Sequence, residues 1–531
     1  MASDLENSLF FMEQVASGKR IVRDLPKLDL ESYANNYDGP TKIMRLRVIA
    51  TSCPPLALEA FRMAITELMK GKDVQEYMEV AADFQKLAPN EPLAQINTAW
   101  VSQQAQRNST ETNRLEHELK TYKNNLIKES IRRLRWALKR RNTPSGDLDD
   151  GIHIPDKRDP EDVMQIANYF EVMGQEDIGR HFFEIADYNN AYKALSRMRE
   201  YCTTAKQIAQ MTLKLLRVCM FNHNYTVVHS YQQKIQTLQM SDEEKAKFDP
   251  ILAACAGLAH LKQDHYPEAA TSFLSVHHSF ITPEPQAGIN FQREVISPND
   301  VAVYGGLCAL ATMNRDTLQR RVLENTAFRP ILETEPHIRR AITMFCSSKY
   351  SGCLNILESY MADYLIDLHL QNHFVKLYRL VRAKCIVQWC SAFSKVTFAE
   401  IEKAFPSKLV DGGEIQGELE RMIMNGQLDA RVDLVDKLLV SPNPDQRIAV
   451  IQDTLKMAKD HEKALRLRLH KINLLAAGLV VKGQNGGNNN SNMFETSSGD
   501  TGGNSGFPFN LRGNAGKPKR GNMLGGFHAM V

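Results

Sequence analysis

The chain has 531 residues, with 65 Lys and Arg against 62 Asp and Glu, a net charge of +3. That length allows two to four domains at roughly 150 residues each, and the near-neutral balance excludes a general polyanion binder. Hydrophobic residues make up 43%, so most of the chain is expected to fold. The longest uncharged apolar stretch, Val301 to Met313, is too short to cross a bilayer. The opening MASDLENSLFFMEQ lacks the basic start of a secretory signal. Nine scattered cysteines form no C-x-x-C pair and read as reduced thiols of the cytosol or nucleus.

Helical periodicity dominates. After Pro54-Pro55, residues 56–70 set Leu56, Ala60, Met63, Ala64 and Leu68 on one stripe, which predicts an amphipathic helix. The run KESIRRLRWALKRR (128–141) carries seven bases and one acid. It reads as a solvated helix face, with a nucleic-acid or nuclear-import patch as the alternative. The Asp/Pro/Gly-rich stretch 142–162 predicts a loop. A weak repeat then appears: Tyr188-x-x-Ala191, Tyr225-x-x-Val228, Tyr266-x-x-Ala269 and Tyr350-x-x-Cys353 each follow a short polar turn. A further member is expected near Asn314-Arg315-Asp316. A period of ~34–47 residues is that of helix-pair solenoids, in which each pair buries its face against its neighbours. Residues 281–300 read as a second loop, with long helices resuming at Val301.

From Lys395 the pattern changes. Thr397-Phe398-Ala399-Glu400 is a capping box, and Ile401 and Phe405 continue its apolar stripe. A second helix is expected from Glu414 to Met424, ended by Asn425-Gly426. Leu428, Ala430 and Val432 then alternate with Asp429, Arg431 and Asp433, the period of a half-buried strand. A second strand is expected over Lys437 to Val440, with Leu438, Leu439 and Val440 closing a hairpin. Two helices and a two-stranded hairpin make a winged helix. Its second helix sets Glu414, Glu418 and Glu420 against Arg421 alone, a poor match for DNA phosphates. The module therefore reads as protein-binding, through the hairpin edge.

One long helix is expected over 446–480. Its seam, with Ile451, Leu455, Leu465, Leu469 and Ile472, is longer than a small neighbouring module can cover and reads as an assembly surface. The tail from Gly483 holds 12 Gly and 9 Asn in 49 residues, too few apolar groups to order itself.

Catalytic signatures are absent. Neither His117-Glu118 nor His461-Glu462 continues as the zinc-helix motif, and no H-x-H pair occurs. His369 and His373 could share a helix face, but no carboxylate lies between them. No P-loop is present, and Gly503-Asn504-Ser505-Gly506 falls in the tail. No catalytic residue, metal ligand or cofactor is expected.

The stretches KESIRR (128–133), REYCTTAK (199–206), SPNDVAVYGGLCALAT (297–312), LETEPHIRRAI (332–342), KYSGCLNIL (349–357), GQLDARVD (426–433) and DQR (445–447) resemble the PCI-domain family. These are scaffold subunits of the proteasome lid, the COP9 signalosome and a translation-initiation complex, and the signalosome branch is the most similar. The resemblance implies an all-α, right-handed TPR-like solenoid followed by a PCI domain with a winged helix and a long terminal helix. In residues this gives an N-terminal segment 1–40, repeats over 41–270 and a PCI domain over 271–441 with the winged helix at 395–441. An assembly helix at 442–482 and the tail 483–531 complete it. It also implies a non-catalytic subunit in the cytoplasm and nucleus. Its partners would be other PCI and metalloprotease subunits and cullin-RING ubiquitin ligases, with neither nucleic acid nor membrane. The alternatives are a proteasome-lid scaffold and a winged-helix nucleic-acid binder. Residues 135–175 look inserted relative to the family pattern.

Overall fold

Four turns set the architecture. Ala186, His223, Asp264 and Ser348 each take a positive φ, between 55° and 67°, two residues before the tyrosines of the repeat. In each turn the next N–H reaches back five residues: Asp187 to Phe182, Asn224 to Cys219, His265 to His260 and Lys349 to Met344. This is a Schellman-type helix end, which reverses the chain so that the following helix packs back antiparallel. The residues three after the tyrosines, Ala191, Val228, Ala269 and Cys353, are all buried. The expected member near Asn314 differs: Asn314 has φ −71° and ψ 163°, so that turn is extended.

The computed structural model describes residues 9–142, 160–282, 286, 288–406, 415–441 and 446–479. Of the loop expected over 142–162, residues 143–159 lie outside them, and Asn142 and residues 160–162 are helical instead; Glu414, the tail from Gly483 and the side chains of the basic run also lie outside. The chain divides into two units, Met1–Asn443 and Pro444–Val531.

The first unit opens with α1 (Leu9–Ala16), α2 (Leu30–Ala34), α3 (Gly39–Ser52), α4 (Ala57–Lys70), α5 (Val74–Leu87) and α6 (Thr98–Asn142). Along α4 the buried face is Ala60, Phe61, Ala64, Ile65 and Leu68, while Met63 is only partly buried. The repeats run through α7 (Pro160–Glu184), α8 (Tyr188–Arg197), α9 (Ala205–Phe221), α10 (Val228–Thr237), α11 (Asp242–Lys262) and α12 (Tyr266–Leu274). Gly257 on α11 lies so close to Phe273 on α12 that a Cβ there would sit 2.6 Å from its ring. Only glycine permits that helix separation.

The stretch 281–300 is less open than expected. It contains α13 (Phe291–Glu294) and buries Ile289, Phe291, Val295 and Ile296. The next helix starts at Pro298 rather than Val301, because Ser297 and Asp300 form a capping box ahead of the apolar run. It is α14 (Pro298–Thr312), followed by α15 (Arg315–Leu318), α16 (Arg329–Glu333), α17 (Pro336–Cys346), α18 (Tyr350–Ser359), α19 (Met361–Leu365) and α20 (Phe374–Cys390). The N-terminal segment packs on this half. Asp38 N–H bonds Arg293 O at 3.0 Å, and Lys27 N–H bonds Asp363 Oδ1 at 2.8 Å.

A winged helix follows. Its elements are β1 (Lys395–Thr397), α21 (Phe398–Ala404), α22 (Ile415–Met424), β2 (Arg431–Asp433) and β3 (Leu438–Val440). The sheet has three strands, in the order β1-β3-β2, where the sequence predicts two. Strand β1 is hidden in the sequence because Thr397 serves both as a strand residue and as the N-cap of α21. Strand β2 is shorter than the alternation suggests: Leu428 and Ala430 are buried but precede it. Arg382 of α20 fastens the module, with Nε 3.0 Å from Glu418 Oε1 and Nη2 2.9 Å from Phe405 O. The second unit contains α23 (Gln446–Ala476).

Candidate assembly surfaces

The hairpin residues do not all lie at an edge. Strand β3 is central, so Leu438, Leu439 and Val440 are paired on both sides. The expectation that Val440 lies on an exposed edge is therefore corrected. Phe398 N–H donates to Lys437 O at 3.1 Å, and Ser441 N–H donates to Ser394 O at 2.9 Å. Antiparallel pairs alternate, so Leu439 bonds toward β1, whereas Leu438 and Val440 bond toward β2. Their partners there are Asp433 and Arg431. The N–H of Arg431 thus belongs to the internal ladder, and Val432 turns its N–H and C=O outward at the open edge. On the other side, the Thr397 N–H is taken by Glu400 Oε2 at 3.3 Å. Edge pairing is therefore offered chiefly by β2. Asp429 lies just before it, outside the strand and exposed.

The sequence does not single out the tip of this hairpin. Leu434 is 62% and Val435 91% exposed. The acidic look of α22 also changes in the structure. Glu418 is consumed by Arg382, and Glu420 accepts from Gln416 Nε2 at 2.8 Å.

The seam of α23 is bare. Ile451, Leu455, Leu465, Leu469 and Ile472 are between 48% and 62% exposed. A helix of 31 residues is about 46 Å long at 1.5 Å per residue. Apolar side chains left in water over that length are a surface awaiting cover.

The main buried charge cluster lies elsewhere and is largely paired, although Arg45 Nε has no hydrogen-bond partner. Arg45 of α3 donates from Nη2 to Asp300 Oδ2 and from Nη1 to Asp367 Oδ2, both at 2.7 Å. Tyr37 Oη donates to Asp300 at 2.8 Å and Tyr304 Oη to Asp367 at 2.6 Å. Burial raises the Asp300 carboxyl. At Asp367 burial is outweighed by Arg45, by Tyr304 and by two backbone N–H groups, which lower it. His373 Nδ1 lies 3.0 Å from Asp264 Oδ1, and burial lowers both His369 and His373. The cysteines are free thiols. Among the described residues no three His, Cys, Asp or Glu stand together as a metal site.

Comparison with known proteins places this architecture. Residues 171–321 match the family described as 26S proteasome subunit RPN7, and residues 357–443 match the PCI domain. The chain is 33% identical to COP9 signalosome complex subunit 1 of Arabidopsis thaliana, over 87% of this chain and 93% of that one. A 26S proteasome non-ATPase regulatory subunit 6 homolog of the same plant is 22% identical over 55% of this chain and 74% of its own. COP9 signalosome complex subunit 1 of Emericella nidulans is 40% identical over 469 residues, 87% of this chain and 84% of that one. With that identity over that length, the chain belongs to the family of COP9 signalosome complex subunit 1.

Proposed function

We propose that the chain is a non-catalytic scaffold subunit of the COP9 signalosome. It supports removal of a ubiquitin-like modifier from cullin-RING ubiquitin ligases by a metalloprotease held in another subunit. Its partners are the other PCI and metalloprotease subunits and, through the assembly, the ligases, in cytoplasm and nucleus. In this reading residues 41–270 form the repeat domain, 271–441 the PCI domain, and 442–482 an assembly helix that packs among helices of partner subunits.

The observation that supports the reading is the bare seam of α23, on a chain of this family. Burying one Leu contributes about 1.5–3 kcal/mol, so Leu465→Asp with Leu469→Asp should abolish entry into the complex when all subunits are co-expressed. Deleting the tail from Gly483 should leave entry unchanged. Normal entry of the double variant together with failure of the tail deletion would reverse the two roles. A proteasome-lid role would appear as co-purification with lid subunits.

A further inference from the structure

The seam of α23 carries its own selection rule. Seam positions follow spacings of three and four from Ile448 through Ile451, Leu455, Ala458, Glu462 and Leu465 to Leu469 and Ile472. Two features break the plain apolar pattern. The first is Glu462, a carboxylate at a seam position in the middle of the helix. The second is the charge on the flanks, the positions directly beside the seam. These hold Arg447, Lys459, Arg466 and Arg468, with His461, and no acid at all. The helix has only two other acids, Asp453 and Asp460, which lie seven residues apart on the opposite face. In the free chain Glu462 leans on the flank, with Arg466 Nη2 2.6 Å from its Oε1. Both side chains are mostly exposed, so that pair contributes little.

Flank charges choose partners when helices pair along such a seam, and one polar residue within the seam fixes the register. An antiparallel pair of this helix would set Arg447 against Arg468 on one flank and Lys459 against Arg466 on the other, and a parallel pair would face Glu462 with Glu462 and His461 with Arg466. Like charges held together as water leaves the seam are strongly disfavoured.

We propose that α23 is a hetero-selective seam. It accepts a partner helix with acidic flanks and a cationic side chain opposite Glu462, and it rejects a second copy of itself. This rests on the assembly role proposed above and adds the chemistry of the partner to it.

The test uses the full chain. Lys459→Glu, Arg466→Glu and Arg468→Glu are combined in one variant, and Leu465→Asp with Leu469→Asp in another. All five positions are exposed, so both variants should keep the helical circular dichroism and melting of the parent. Co-expressed with the partner subunits, the charge-reversed variant should be recovered in the complex at least tenfold less than the parent, and Glu462→Leu should bind the partners with relaxed register. Alone, the parent should run as a monomer in light scattering, and the gap between parent and reversed variant should narrow in high salt. If the reversed variant enters the complex normally while the Leu-to-Asp variant does not, the seam is used but does not select by charge, and the inference falls alone. If both enter normally, the assembly role falls and takes the inference with it. A parent that dimerises through this helix would also overturn it.

Discussion

Arg45 is a cation with 1% of its side chain exposed, held between carboxylates 255 and 322 positions away in sequence. Removing one member of such a buried set leaves the others uncompensated, which costs about 3–5 kcal/mol. Arg45→Met should lower stability by that amount in chemical denaturation, and adding Asp300→Asn with Asp367→Asn should recover part of it. Lys262 is a second, half-buried cation. It reaches the carbonyls of Leu368 and His369 at 3.5 and 3.4 Å, and burial lowers its pKa from 10.5 to about 8. Between those values the unfolded chain binds more protons, so stability should rise with pH through that window. The cost is fully present below about 8 and gone above 10.5. Lys262→Met should remove that rise, on the order of 3 kcal/mol, when parent and variant are unfolded in urea at the two ends of the window. Neither residue is legible as special in the sequence. Arg45 sits in KIMRLRVIA like any surface base, and only the tertiary fold supplies Asp300 and Asp367.

The repeats are legible as elements because a tyrosine and a small residue recur at a helical-hairpin period. The backbone device beneath them is not, because the left-handed position is held by Ala, His, Asp and Ser instead of the glycine that normally marks it. Ala186 pays the steric cost of that conformation without a polar side chain to bond locally. Ala186→Gly should therefore raise stability by up to about 1 kcal/mol, read from the thermal midpoint. The sheet gives the opposite lesson. Alternation over 428–433 correctly buries Leu428 and Ala430, yet the strand order decides which residues face outward, and strand order depends on β1. Proline at Val440 should break the central ladder and destabilise the winged helix by roughly 3 kcal/mol. Proline at Val432 should leave the monomer's melting nearly unchanged and weaken any pairing at the open edge. Equal melting losses in the two variants would show that the edge is not open.

For the whole molecule, the helical scaffold was readable because solenoid and winged-helix patterns are local. The long α23 seam was readable for the same reason, since a spacing of three and four needs no knowledge of what covers it. The purified chain should show no cleavage of a modified cullin, with or without added divalent metal. Cleavage that a chelator abolishes would reveal a site outside the clusters described. The Arg45 network has a further consequence, in time. Helix α3 leaves the ribosome long before Asp300 and Asp367 exist. At about 5–20 residues per second, its guanidinium waits roughly 13–50 s for the first of the two carboxylates. Throughout that interval α3 can pack on α1 and α4, but its cation lacks both carboxylates. A nascent chain halted before residue 300 should leave α3 open to protease, and the same helix should become protected once translation has passed Asp367.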